Sequence, residues 1–286
     1  MPQPVLLLGA GPAAYGFPLE RIAELRPVIL VDTAVPDWAR PFLSGHLAAD
    51  PAREAETAEA IARYTDRHPV AGVLTWTREH LRTAARITGY LRLPGLPYET
   101  AAACAHPAAL RDRLARHRVV PEGPEDTAGP LVSAETVVLD DEVRIVALTR
   151  TTPGSHGRSP LRHSVHAHDG LLHNRFLRQT VERAVRALGL THTIAHVRLR
   201  LTGRGPRVTG VLPYLPGDLI PLLVERATGV DLAGVALALA CGTVVDAVPW
   251  RERAAAVRFA DSADGRLYRV VEGEDAAECD RVLGAA

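Results

Sequence analysis

The stretch AHVRLRLTGRGPRVTGVLPYLPGDLIPLLVERATGVDL, residues 195–232, decides how the chain is read. Residues 192–202 and 207–212 read as strands, joined by the turn Gly203-Arg204-Gly205-Pro206. Two apolar helices follow, at roughly 219–227 and 232–240, with Asp218 placed to cap the first of them. Arg198 and Arg200 are two positions apart, so on a strand they point to one face.

Upstream, residues 131–139 and 142–149 alternate as strands around Asp140-Asp141, a hairpin signal. Residues 151–169 read as a polar loop rich in His, Ser, Gly and Arg, and 171–188 as a strongly amphipathic helix stopped by Gly189. Residues 255–271 can supply further strands. The first third of the chain has a different rhythm. Apolar runs at 5–8, 28–31 and 70–76 alternate with helical stretches at 19–25, 51–66 and 79–90. Strands this apolar, separated by helices, indicate a parallel sheet covered on both faces. Two short helices are expected at 98–104 and 107–117, the second with Pro107 at its first position. Residues 121–130, PEGPEDTAGP, read as a linker. The expected organisation is therefore an α/β domain at 1–92, a helical connector and linker at 93–130, and an α+β lobe at 131–286.

Composition narrows the chemistry. The 286 residues carry 33 basic and 33 acidic side chains, a net charge of zero, which leaves no basic field to hold nucleic acid or an anionic membrane. Apolar runs such as 235–241 are too short to span a bilayer, and residues 1–8 lack a charged signal-peptide region, so a cytoplasmic location is expected. All 33 basic residues are arginine. The absence of lysine excludes a Schiff base, a pyridoxal-phosphate anchor and a P-loop. Cys104, Cys241 and Cys279 form no CxxC motif, and their odd number argues against a disulfide framework. Gly9-x-Gly11 after the first strand, with Asp32 at the end of the second, admits either a dinucleotide site or a tight turn at the sheet's carboxyl edge. The spacing is not GxGxxG, and Pro12 and Pro18 interrupt the helix start.

Four segments together resemble ATP-grasp carboxylate–amine ligases: 70–76 (VAGVLTW), 93–115, 132–150 and 195–232. The similarity runs in order through nearly the whole chain. It implies an ATP-grasp-like α/β fold, with an N-terminal parallel-sheet domain and a C-terminal lobe. Such ligases hold nucleotide phosphates with lysines and magnesium with two acids and an asparagine, because phosphoryl transfer needs cations at the developing charge. Matched to those positions, this chain has His106-Pro107 for the first lysine and Arg198 for the first magnesium acid. It has Gly210 for the second acid, Leu212 for the asparagine and Tyr214 for a substrate-side arginine. The lobe that carries the second lysine and clamps adenine is replaced by about ten linker residues between Pro121 and Val132. The resemblance is to a degenerate, truncated, pseudo-ATP-grasp protein without a nucleotide or metal cofactor. The family's habit of dimerising makes a homodimer possible.

The remaining residues set the functional expectation. His156, His163, His166, His168 and His173 form a histidine-rich segment that fits a loop folded over the cleft, a metal site or a proton shuttle. Glu135 is either a strand acid paired with arginine or a repurposed proton shuttle, and Tyr214 either donates to a carbonyl or plugs the pocket. Arg198 and Arg200 fit a cationic patch or salt bridges. Trp76 and Glu79 lie at the carboxyl end of a strand, the usual ligand edge. Leu212 would line an apolar cleft. The expected catalytic set is His163, Glu135, Tyr214 and Arg198, with Trp76, Glu79, His166, Arg200 and Leu212 contacting a small-molecule substrate. The expected function is ATP-independent cyclisation, isomerisation, cycloaddition or elimination in bacterial secondary metabolism. The alternative is a non-catalytic protein that binds a small molecule or acts as a regulatory partner of an intact ATP-grasp ligase.

Overall fold

A computed structural model of the chain describes residues 2–119, 128–154, 160–262 and 265–284. The N-terminal part forms a four-stranded parallel sheet from β1 (Val5–Leu8), β2 (Val28–Asp32), β3 (Gly45–Ala48) and β4 (Gly72–Leu74), in the order β3-β2-β1-β4. Helices α1 (Gly16–Leu25), α2 (Glu54–Thr65) and α3 (Leu81–Leu91) connect and cover it. All four residues of β1 are buried, as expected of a parallel strand covered on both faces. Val5, Leu7, Val28 and Leu30 face one core, and Leu6, Leu8, Ile29 and Val31 face another with Ile61 and Ile87.

The sequence reading counted residues 70–76 as the third strand, whereas the structure makes it the fourth. β3 was missed because it is an edge strand of four residues whose burial alternates, with no apolar run to mark it. α4 (Tyr98–Ala105) and α5 (Pro107–Arg116) form the helical connector. Most of the expected linker lies outside the described residues.

The second sheet is antiparallel and has seven strands, in the order β11-β10-β7-β6-β5-β8-β9. It is built from β5 (Leu131–Leu139), β6 (Glu142–Pro153), β7 (Pro160–His166), β8 (Thr193–Thr202), β9 (Gly205–Leu212), β10 (Ala254–Ser262) and β11 (Gly265–Gly273). β7 corrects the reading of residues 151–169 as a loop. Its polar composition hid an alternation in which His163 and Val165 are buried between β6 and β10. α6 (Arg175–Leu188) buries Leu177, Val181, Val185 and Leu188 against one sheet face, beside Val132, Ala134, Val197 and Leu199.

The opposite face receives α7 (Ile220–Thr228), whose Ile220, Leu223 and Val224 join a core shared with Val5, Leu7 and Leu30 of the first sheet. α8 (Leu232–Cys241) packs between the two sheets, capped at its start by the Asp231 carboxylate, which accepts from Ala233 N and Gly234 N at 3.0 Å each. α9 (Ala276–Leu283) closes the chain on β10 and β11, a helix the sequence reading did not anticipate. Among the described residues no helix is long and apolar enough to cross a membrane.

Gly72 fixes how closely the two halves meet. A Cβ there would lie 2.7 Å from the Ala240 carbonyl oxygen of α8, and that backbone atom cannot swing away as a side chain can. Gly72→Ala therefore forces α8 off β4. Chemical denaturation should show a loss of about 1–3 kcal/mol.

Candidate functional site

On the α7 side of the antiparallel sheet, the strand period places Ser133 and Glu135 (β5), Thr149 and Thr151 (β6), His163 (β7) and His196 and Arg198 (β8) on one face. Around them opens a cavity of about 320 Å³, walled by Leu131, Leu212, Pro216 and Ile220, with Ser133, His163, His196, Arg198 and Asp218 supplying its polar groups. Register shifts fall at Glu135/Thr136 and Arg198/Leu199, so bulges set the aim of two of these strands where they meet the cavity.

Glu135 is fully buried beneath this floor. Ser133 Oγ and Thr149 Oγ1 donate to its Oε1 at 2.8 and 2.9 Å, and His196 Nδ1 meets Oε2 at 2.8 Å. Desolvation alone would raise this carboxyl's pKa, but His196 and the two hydroxyls outweigh it and hold the group below the ordinary glutamate range. An ionised Glu135 requires a proton on His196 Nδ1, which leaves Nε2 as the ring's free nitrogen. The glutamate's partner is thus a histidine two positions from Arg198, not an arginine.

His163 is 4% exposed. Its Nδ1 is 3.0 Å from Thr151 Oγ1, while its Nε2 has no hydrogen-bond partner and sits 3.8 Å from Asp218 Oδ2. Asp218 does not cap α7. The N-cap position belongs to Leu219, and both Asp218 and Leu219 adopt left-handed backbone, with φ of 53° and 61°. That turn brings the Asp218 carboxylate to 3.8 Å from His163 Nε2, at a conformational cost for two non-glycine residues.

The other expected site residues disperse. Trp76 and Tyr214 line a smaller neighbouring cavity of about 80 Å³. Trp76 is buried, stacks on Tyr15 with ring centroids 4.9 Å apart, and donates from Nε1 to the Ala10 carbonyl at 2.8 Å. It holds the first sheet's edge together. Its ring would lie 3.0 Å from a Cβ at Gly11, so it fills the space beside the glycine turn. Asp32 accepts from Ala10 N and Thr33 N, which ties its carboxylate to that same turn. The tight-turn reading of Gly9-x-Gly11 therefore fits, and the dinucleotide reading has no room.

Glu79 is exposed, near enough to Tyr214 to act on it electrostatically. Arg200 donates to the Gly129 carbonyl at 3.0 Å and does not line the larger cavity. His166 lies three positions from His163, on the opposite face of β7, with its ring 6.0 Å from that of His168. No group of three His, Cys, Asp or Glu among the described residues could hold a metal ion, and His156 lies outside those residues. Burial pushes the Cys104 thiol up to about 11, against the pull of Arg113 and Arg78, so it carries no useful thiolate at neutral pH.

Sequence reasoning missed Ser133, Thr149, Thr151 and His196 as members of the site. Their signal is polar residues alternating within otherwise apolar strands that pair side by side.

Solved structures share this architecture. An L-amino acid ligase from Bacillus licheniformis matches with a TM-score of 0.83 at 15% identity, over 98% of this chain and 95% of that one. A phosphoribosylglycinamide synthetase from Anaerococcus prevotii matches with a TM-score of 0.80 at 15% identity, over 99% and 97%. An N5-carboxyaminoimidazole synthetase from Staphylococcus aureus, complexed with ADP, matches with a TM-score of 0.78 at 9% identity, over 98% and 96%. No protein-family model and no curated protein matches the chain. The fold is that of the ATP-grasp ligases, and at these identities the likeness establishes the fold alone.

Replacing the buried carboxylate tests the electrostatics of the floor. Glu135→Gln should cost about 1–3 kcal/mol at pH 7, the cost of leaving the Ser133, Thr149 and His196 donors imperfectly paired in a buried site. Because the folded carboxyl's pKa is depressed, its contribution is full above the ordinary value of 4.5 and is lost as pH falls through the folded one. Urea unfolding across that range should show the gap between wild type and variant closing toward acid.

Proposed function

We propose that this protein is an ATP-independent enzyme that moves protons on a small-molecule intermediate held in the cleft. Cyclisation, isomerisation, cycloaddition or elimination on an intermediate of bacterial secondary metabolism would each suit it. The observation that carries the reading is the pair of imidazoles on one cavity: His196, oriented from below by buried Glu135, and His163, whose Nε2 has no hydrogen-bond partner. A buried carboxylate behind an imidazole fixes its tautomer and stabilises its cation, as a general base requires. His196 can take a proton at Nε2. His163, facing Asp218, can hold one at Nε2 and return it elsewhere on the substrate.

The residues present do not fit magnesium nucleotide. Arg198 and Leu212 stand on the cleft, one repelling a dication and the other offering no donor. Lysine is absent from the whole chain. No step is therefore drawn through ATP. The reading of the chain as a degenerate and shortened ATP-grasp protein, with a small-molecule substrate and no nucleic-acid partner, rests on these same features.

The non-catalytic alternative draws on exposed Val244, Val248 and Trp250, an apolar group beside Val235 and Ala238 of α8 that a partner protein could cover.

Calorimetry with ATP, with and without Mg²⁺, should show no binding at millimolar nucleotide. Tight magnesium-dependent binding would overturn the proposal. In a metabolite extract freed of nucleotides by apyrase, wild type should consume a compound that His196→Ala leaves untouched. Identical profiles for the two would favour the non-catalytic alternative.

A further inference from the structure

α6 has two unlike sides. Leu177, Val181, Val185 and Leu188 are buried against the sheet, on the face opposite the cavity. Arg175, Arg178, Arg183 and Arg186 project from the other side and are exposed, with Phe176 70% exposed at its margin. Among the described residues only Arg186 of these four meets a carboxylate, that of Glu182 at 3.8 Å, and Glu182 is the one acid of this helix. α5 adds to the positive charge. Arg113 Nε donates to the Ala187 carbonyl at 3.0 Å, which seats it at the end of α6, and Arg116 lines an open groove with it, as Glu99 also does.

This arrangement is costly for the chain alone. Arginines three apart on one helix repel, as at 175/178, 183/186 and 113/116. Arg175 and Arg178 also occupy the start of α6, where the helix dipole is positive and the first turn holds no acid. Elsewhere Arg21, Arg82, Arg150 and Arg253 each sit on a carboxylate. A chain of zero net charge thus concentrates uncompensated cations on one helix face.

We infer that this face docks an acidic helix of a partner protein, its carboxylates recurring along about 16 Å to meet Arg175 through Arg186 and an apolar side chain resting on Phe176. Nucleic acid fits less well. The chain's 33 acids balance its arginines, so a polyanion longer than the face meets no continuing positive field, and the face offers one aromatic ring and no stacking platform. A membrane surface would need more apolar area than one phenylalanine supplies. The cavity opens on the other side of the sheet, so docking leaves it clear, and the inference holds whether or not the chain is a catalyst.

Fluorescence anisotropy tests it with a labelled alanine-based helical peptide bearing glutamate at every fourth position and one leucine. The comparisons are the same peptide with glutamine, a DNA duplex of equal charge and phosphatidylglycerol vesicles. The glutamate peptide should bind, the glutamine peptide about tenfold or more weakly, and rising salt should weaken only the former. The double variant Arg178→Glu, Arg183→Glu should weaken the glutamate peptide by roughly a hundredfold, and Phe176→Ala by about threefold or more, while Arg63→Glu on α2 should leave it unchanged. The double variant should melt no lower than wild type, because like-charge repulsion is relieved. A measurement on wild type covers the case of a variant that fails to fold: on titration with the peptide, ¹H–¹⁵N shifts should move at residues 113–116 and 175–186. Shifts confined to other elements, equal binding of the glutamine peptide, binding that survives the charge reversal, or tighter binding of the duplex or vesicles would overturn the inference.

Discussion

Glu135 carries a charge with no access to water, and the lobe is arranged around keeping it there. An unpaired buried carboxylate would cost several kcal/mol, so the sheet must deliver donors to it. Ser133 comes from its own strand, Thr149 from β6 and His196 from β8. Slipping either neighbour by one residue would send its donor to the α6 face and replace it with an aliphatic group. The carboxylate therefore pins the register of three strands and orients the imidazole that meets the cavity. The stability of the lobe and the proposed chemistry draw on the same four side chains.

The apolar packing around this centre is ordinary, and it is what the ATP-grasp likeness reflects. Two sheets share one core through α7 and α8, and their closeness depends on the bare Cα of Gly72. That scaffold presents a cleft whatever its lining. Here the lining combines arginine, histidine and leucine, the residues on which the proposed proton-transfer function rests. A fold associated with ligases is thus compatible with chemistry that uses no phosphoryl transfer, because the scaffold depends on the core and a reaction depends on the few side chains that line the cleft.

Much of the architecture was legible in the sequence because its signals are local. The fully apolar β1 and β2, the period of α6 with Gly189 at its end, and the Asp140-Asp141 turn each follow from a few adjacent residues. What escaped was whatever depends on pairing. β7 is polar enough to read as a loop and becomes a strand only between β6 and β10. Glu135, His163 and Arg198 could be picked out as candidates by residue type. That Glu135 meets His196, 61 residues away, follows only from β5 lying beside β8. Pro216-Gly217 announces a turn, but the left-handed residues are the two non-glycines that follow, Asp218 and Leu219, so a capping role was the natural reading there.

The imidazole of His196 is where the account can be tested most directly. Long-range ¹H–¹⁵N correlation spectra of histidine-labelled protein, assigned with the His196→Ala variant, report which ring nitrogen holds the proton. If Glu135 is an ionised acceptor that fixes the base, Nδ1 is protonated at neutral pH in wild type, and Glu135→Gln shifts that population. A neutral His196 protonated only at Nε2 in wild type would mean that the buried carboxyl is itself the donor, and the proton-transfer centre described here would be contradicted.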